Sequence, residues 1–221
     1  MELKIIITGA TGMVGEGVLL ECLAHPAIKQ VVSVARKPSG RRHPKLEEIL
    51  VSNFLALDEV KTQLSGFDAC FYCAGVSAVG MKEAEYTRMT YDLTLHFAET
   101  LAKLNPGITF CYISGQGTDS SEKGKQMWAR VKGRTENTLM RLPLKKAYNF
   151  RPGLMKPTPG QKNIKMFFKV LSALYPLFHL LFPNSTSTMK EVGLAMIGSV
   201  KNGYSKQILE VKDIKILAKT A

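Results

Sequence analysis

Cysteine is scarce, tryptophan nearly absent and acid outnumbered in this 221-residue chain, which has four Cys, one Trp, and 18 Asp and Glu against 30 Lys and Arg. Four cysteines are too few and too irregularly placed to frame a disulfide-stapled fold. Cys70 and Cys73 fall in the run DACFYCAG, which reads as a buried strand. Their odd separation turns the two side chains to opposite faces, so the CxxC spacing is a weak zinc or redox signal and no metal site is expected. The cysteines read as reduced and the chain as cytoplasmic. No signal peptide is expected either, because MELKIIITGATG has only a short apolar run before its glycines and no cleavage-site pattern. Repeats, low-complexity tracts and a dividing linker are also missing. A chain of this length buries roughly 70% of its unfolded surface without staples, so one domain over 1–221 is expected.

The shortage of acid leaves a net charge of +12. Two clusters carry much of it: Arg36, Lys37, Arg41, Arg42 and Lys45, then Lys123, Lys125, Arg130, Lys132 and Arg134. Such a balance suits nucleic acid, an acidic membrane surface or a phosphorylated ligand. Zinc-finger spacing, an aromatic RNA-binding strand and a helix-turn-helix pattern are all lacking, so nucleic acid is not the expected partner.

What is present is alternation. Leu3–Thr8, Gln30–Ala35, Glu48–Phe54, Ala69–Ala74, Ile108–Ser114 and Ala147–Phe150 read as strands. Between them, Gly12–Ala24, Asp58–Leu64, Lys82–Leu104 and Lys125–Leu142 read as helices. Strand and helix in turn predict an α/β fold, a doubly wound parallel sheet covered on both faces. Beyond Arg151 the alternation stops, and Gly153, Pro157, Pro159 and Gly160 lead into a helical extension over 156–221.

The strongest local signal is Ile5-Ile6-Ile7-Thr8-Gly9-Ala10-Thr11-Gly12-Met13-Val14-Gly15. An apolar strand runs into glycines spaced three and three, then into a helix. The first glycine permits the turn, the second lets backbone approach a pyrophosphate, and the third packs helix on strand. Gly9, Thr11, Gly12, Met13, Val14 and Gly15 are therefore the expected cradle of a dinucleotide, in a Rossmann arrangement. After the second strand, where an acid would read a ribose 2′-hydroxyl, the chain has Arg36 and Lys37, which predicts NADP in preference to NAD.

These residues resemble the atypical branch of the short-chain dehydrogenase/reductase superfamily. The TGATGxVG run, Cys73-Ala74-Gly75 where the superfamily often has Asn-Ala-Gly, and Phe150-Arg151-Pro152-Gly153 carry the likeness over about residues 1–155. Within the branch, the chain is most similar to the subgroup of the human Tat-interacting oxidoreductase and small epimerase-like bacterial proteins. The resemblance implies a tyrosine with a lysine four residues on, an upstream serine, and an Asn or Asp on the preceding helix. Those positions fall on Trp128, Lys132, Ser114 and Thr90, with Asp92 two residues beyond Thr90. Indole has no acidity near neutral pH, so Trp128 could hydrogen-bond an oxygen but not deliver a proton. No other tyrosine has a lysine four residues later. Two functions of different class follow. One is an NADP-dependent oxidoreductase or epimerase-like enzyme whose proton donor is not tyrosine, for instance a water held by Ser114. The other is a non-catalytic NADP-binding sensor or interaction module.

From Ile164 to Phe182 the run IKMFFKVLSALYPLFHLLF is apolar except for Lys165, Lys169, Ser172, Pro176 and His179. On a helix these form one narrow stripe and leave a wide apolar surface. Two cations and a proline argue against a membrane span. The segment is expected to cover the substrate side of the site, to form a homodimer face, or to lie peripherally in a bilayer interface. His179 reads as a member of the stripe and not as a base. The residues after Gly153 follow no pattern that names a substrate.

Overall fold

Leu3–Thr8 (β1) buries every side chain but that of Lys4, as a strand covered on both faces must. The computed structural model describes residues 2–164 and 174–221. After β1 come α1 (Met13–Ala24), β2 (Ile28–Ala35), β3 (Leu46–Leu50), a 3-10 helix (Asp58–Leu64) and β4 (Ala69–Tyr72). Next are α2 (Glu83–Thr87), a π-helical turn (Arg88–Asp92), α3 (Leu93–Leu104), β5 (Thr109–Ile113), α4 (Met127–Leu139) and β6 (Lys146–Arg151). The C-terminal part adds β7 (Leu154–Lys156), α5 (Tyr175–Leu181), β8 (Thr186–Thr188), α6 (Met189–Asn202), β9 (Ile208–Glu210) and α7 (Val211–Ala218).

Seven strands join in the order β3-β2-β1-β4-β5-β6-β9, every pairing parallel. The order reverses between β1 and β4, which opens a crevice at their carboxyl ends. One face carries Ile5, Ile7 and Phe71 against Val18 and Leu19 of α1 and Val192 and Met196 of α6. The other carries Ile6, Cys70 and Phe110 against Phe97 and Leu101 of α3 and Leu64 of the 3-10 helix. Cys70 and Cys73 do point to opposite faces, and all four cysteines are free.

The doubly wound sheet is the expected one, and the differences from expectation lie at its margins. The third strand is Leu46–Leu50 and not Glu48–Phe54, because its register is set by pairing Val31 with Leu46. The long helix over Lys82–Leu104 is interrupted by the π turn. The extension beyond Arg151 is not purely helical: β9 joins the main sheet, and β7 pairs with β8 in a two-stranded ribbon. Three-residue strands carry too few alternations to leave a periodic signal. Of the apolar run Ile164–Phe182, residues 165–173 lie outside the described residues, Lys165, Lys169 and Ser172 among them.

A buried ion pair fastens α4 to the sheet. Arg151, at the end of β6, donates from Nε to Glu136 Oε1 at 2.9 Å and from Nη2 to Glu136 Oε2 at 2.5 Å. Its remaining N–H groups reach Ser120 Oγ at 2.6 Å and Glu210 Oε1 at 3.2 Å. Glu136 is wholly buried, so its charge rests on this fork. Removing one partner of a buried pair strands the other, whereas replacing both with apolar groups of similar volume costs little. Glu136→Ala should therefore lower stability by about 3–5 kcal/mol, and Glu136→Met with Arg151→Met should recover most of it. Urea unfolding checks this, and equal losses in the single and double variants would contradict it.

Candidate dinucleotide and catalytic site

At the carboxyl end of β1 the chain turns at Gly9 with φ +72, and a Cβ there would stand 2.6 Å from the Cys73 carbonyl carbon. A Cβ at Gly15 would collide with the Gly9 carbonyl. Only glycine fits either place, so the turn and α1 close against the end of β4. Thr8 Oγ1 accepts from the Ala74 N–H at 3.2 Å and ties the two strand ends together. α1 begins at Gly12 without a side-chain cap, which leaves its first N–H groups and positive dipole end free for an anion.

A cavity of about 490 Å3 opens over this turn, lined by Gly9, Thr11, Gly12, Cys73, Ala74, Gly75, Arg36, Lys37, Ala35 and Phe54. It continues across Cys73-Ala74-Gly75 into a second space of about 470 Å3. That space is walled by Met13, Val14, Val76, Ile113, Leu154 and Met155, with Ser77 and Lys132 as its polar side chains. The uncapped helix start, the glycine turn and two cations beyond β2 fit a dinucleotide diphosphate laid across both spaces.

Lys132 comes from the second turn of α4 and reaches back to the end of β5. Its Nζ donates to the Ser114 carbonyl at 3.1 Å and the Ile113 carbonyl at 3.3 Å, and lies 5.4 Å from the centroid of the Tyr112 ring. Burial of the ammonium pushes its pKa down to about 8 against the pull of Glu136, one turn along the helix. The Cys73 thiol, also on the cavity floor, is pushed up by burial and stays protonated.

Ser114 and Trp128 stand apart from the cavity. The Ser114 hydroxyl is buried and lies 2.9 Å from Thr118 Oγ1. The Trp128 indole packs over Gly117, and its N–H donates to Gln126 Oε1 at 2.9 Å. Thr90 is buried in the π turn, whereas Asp92 is exposed. So the structure brings Lys132 to the recess beside Met13 and Val14, while Ser114 and Trp128 are not among the residues that line it. Sequence reasoning missed Phe54, Val76, Leu154 and Met155, which sit in loops or a three-residue strand and carry no motif. It also missed Glu16, which is buried in the first turn of α1 and bonded by Arg41 and by the backbone N–H groups of Lys162 and Asn163 at 2.9 and 2.7 Å. Burial works to raise the Glu16 carboxyl, yet these donors hold it below the usual carboxylate range.

Residues 5–125 match the sequence model of the NAD dependent epimerase/dehydratase family. The "Leucinostatins biosynthesis cluster protein T" of Purpureocillium lilacinum is 30% identical over 118 residues, 52% of this chain and 44% of that protein. "Protein fmp52, mitochondrial" of Emericella nidulans is 26% identical over 159 residues, 69% of this chain and 66% of that one. The chain thus spans less than two thirds of either relative's length. Among solved structures, MoeE5 in complex with UDP-glucuronic acid and NAD superposes with a TM-score of 0.69 at 17% identity, over 94% of this chain and 76% of that one.

These findings correct the expectation of NADP: the matching family is NAD dependent, and the MoeE5 complex holds NAD. Arg36 and Lys37 are exposed among the residues that line the cavity, where a positive charge suits the phosphates of either dinucleotide. Cations after β2 therefore do not by themselves select a 2′-phosphate. With a match over more than half its length and a doubly wound sheet closed around a glycine turn, the chain belongs to the NAD dependent epimerase/dehydratase family.

Proposed function

We propose that the chain is an NAD-dependent oxidoreductase or epimerase-like enzyme in which Lys132, and not a tyrosine, is the ionisable group at the reacting centre. The observation that carries this is an ammonium of lowered pKa in an otherwise apolar recess, with two backbone carbonyls as its hydrogen-bond partners. A third N–H of the ammonium is left to meet a ligand. NAD, when bound, supplies the hydride acceptor and, once reduced, the donor. Gly9, Gly12 and the start of α1 hold its diphosphate, aided by Arg36 and Lys37. Thr11, Cys73, Ala74 and Gly75 border its path, while Met13 and Val14 close the recess and Gly15 keeps helix and turn in contact. Through that one N–H Lys132 meets a ribose hydroxyl or, with a pKa near 8, gives or takes a proton at a substrate oxygen near neutral pH. Ser114 supports it through its carbonyl. Val76, Ile113, Leu154 and Met155 favour a small apolar carbonyl or alcohol compound, because a nucleotide sugar would need more cations than Lys132 alone.

Trp128 favours a second reading. With the indole in the tyrosine position and its N–H spent on Gln126, the chain would be a non-catalytic NAD-binding sensor. Turnover separates the two. A screen of small ketones with NADH should find activity that Lys132→Met removes, and Trp128→Tyr should raise it, since a positioned acid contributes about 10²- to 10⁴-fold. No wild-type turnover on any substrate, with activity only in Trp128→Tyr, would favour the sensor.

The Lys132 assignment has a pH signature. Below a pKa of about 8 the residue is an ammonium that attracts an anionic cofactor, and above it the charge is lost. NADH affinity should be full near pH 7 and fall about ten-fold or more as pH rises past 8, the weight of a charge-assisted hydrogen bond of about 1.5–3 kcal/mol. Energy transfer from Trp128, the one tryptophan, reports the binding. Lys132→Met should bind weakly at all pH, and a wild-type affinity flat from pH 7 to 9 would remove Lys132 from the site.

A further inference from the structure

Among the described residues, the C-terminal part presents large apolar side chains that are left exposed. α5 is only seven residues long, yet Leu174, Leu177, Leu180, Leu181 and Phe182 are all exposed, Leu180 by 78%. The helix is firmly mounted. Tyr175 is buried and stacks on His179 at 5.5 Å, and His179 Nδ1 lies 2.8 Å from Thr186 Oγ1 on β8. β8 pairs in turn with β7, whose Leu154 and Met155 line the recess of Lys132. α7 packs on β8 and the Pro183–Ser185 turn, leaves Ile216 exposed, and places Lys215 Nζ 2.7 Å from the Pro183 carbonyl. Lys156 lies over the Tyr175 ring at 5.7 Å.

Charge completes the pattern. Every charged side chain from Asn137 to Lys190 is a Lys or an Arg. Glu191, which faces Tyr175, is occupied in the capping box of α6 with Thr188. We propose that this face seats on an anionic lipid bilayer, with the α5 leucines and Phe182 in the acyl boundary and Lys156 and Lys215 at the headgroups. A second copy of the chain is the poorer occupant, since a two-fold interface would bring the same cationic rim against itself. Nucleic acid would leave the leucines in water. Among the described residues no helix is long and apolar enough to cross a membrane, so the contact is peripheral.

Co-sedimentation of the full chain with vesicles tests the proposal. It should pellet with phosphatidylcholine containing phosphatidylglycerol and remain in solution with phosphatidylcholine alone. Lys156→Glu with Lys215→Glu should weaken the binding at least about five-fold per lysine, and added salt should weaken it further. Leu177→Asp with Leu180→Asp should abolish it, with circular dichroism to check that the fold survives. Should that pair unfold, the lysine pair carries the test by itself. Equal pelleting with neutral vesicles, or none with anionic ones, overturns the proposal. So does a dimer in light scattering that the aspartate pair converts to monomer, which would make the face a self-interface.

Discussion

Arg151 is the joint on which the site depends. It ends β6, one strand from the sheet edge, and its guanidinium holds α4 through Glu136, the preceding loop through Ser120 and the start of α7 through Glu210. Lys132 is one turn before Glu136 on the same helix face, the i and i+4 relation that makes them neighbours. Whatever fixes Glu136 therefore fixes where Lys132 enters the recess. The ion pair needs its full fork of hydrogen bonds because a carboxylate with no exposure has no water to fall back on. This gives the Phe-Arg-Pro-Gly run a physical meaning: its arginine does not touch the cavity but holds the helix that does.

The two halves of the site are built by different means. The diphosphate half is a backbone device, in which glycines at 9 and 15 allow a strand end, a turn and a helix to approach more closely than any side chain permits. The half proposed to carry the reaction is a side-chain device, a single ammonium among apolar walls. Burial lowers the Lys132 pKa because the charged form loses water, and Glu136 raises it because opposite charges attract, with burial the larger effect. A lysine balanced this way can exist in both protonation states near neutral pH without a tyrosine four residues before it.

How much was legible in the sequence follows from the range of each interaction. β1, the glycine turn and α1 are contiguous, and their pattern is local, so the strand, the turn and the helix could be read directly. Lys132 was reached only through the family resemblance, which implies a lysine four residues after position 128. The strand after β2 was misplaced because Leu46 is set by pairing with Val31 and not by its own apolar pattern. β7, β8 and β9 were missed because three residues hold less than two alternations. The cofactor preference failed for another reason: Arg36 and Lys37 line the cavity, but charge sign alone does not distinguish a diphosphate from an added phosphate. That Trp128 turns its N–H to Gln126 depends on a side-chain choice two residues away which no spacing encodes.

Glu16 ties this architecture to the C-terminal part. A carboxylate in the first turn of a helix is favoured by the positive dipole end, and here it also accepts from Arg41, Lys162 and Asn163. Arg41 in turn donates to the Gly160 carbonyl at 2.8 Å, and Gln161 Nε2 donates to the Met13 carbonyl at 2.7 Å. The segment from 158 to 163 is thus bound to the same helix turn that would hold the diphosphate, and to the loop that follows Arg36 and Lys37. Since these donors keep Glu16 ionised below the usual carboxylate range, the tie carries full charge throughout the neutral range. The turn at the start of α1, the loop carrying Arg41 and residues 160–163 are therefore joined by direct hydrogen bonds that bypass the sheet.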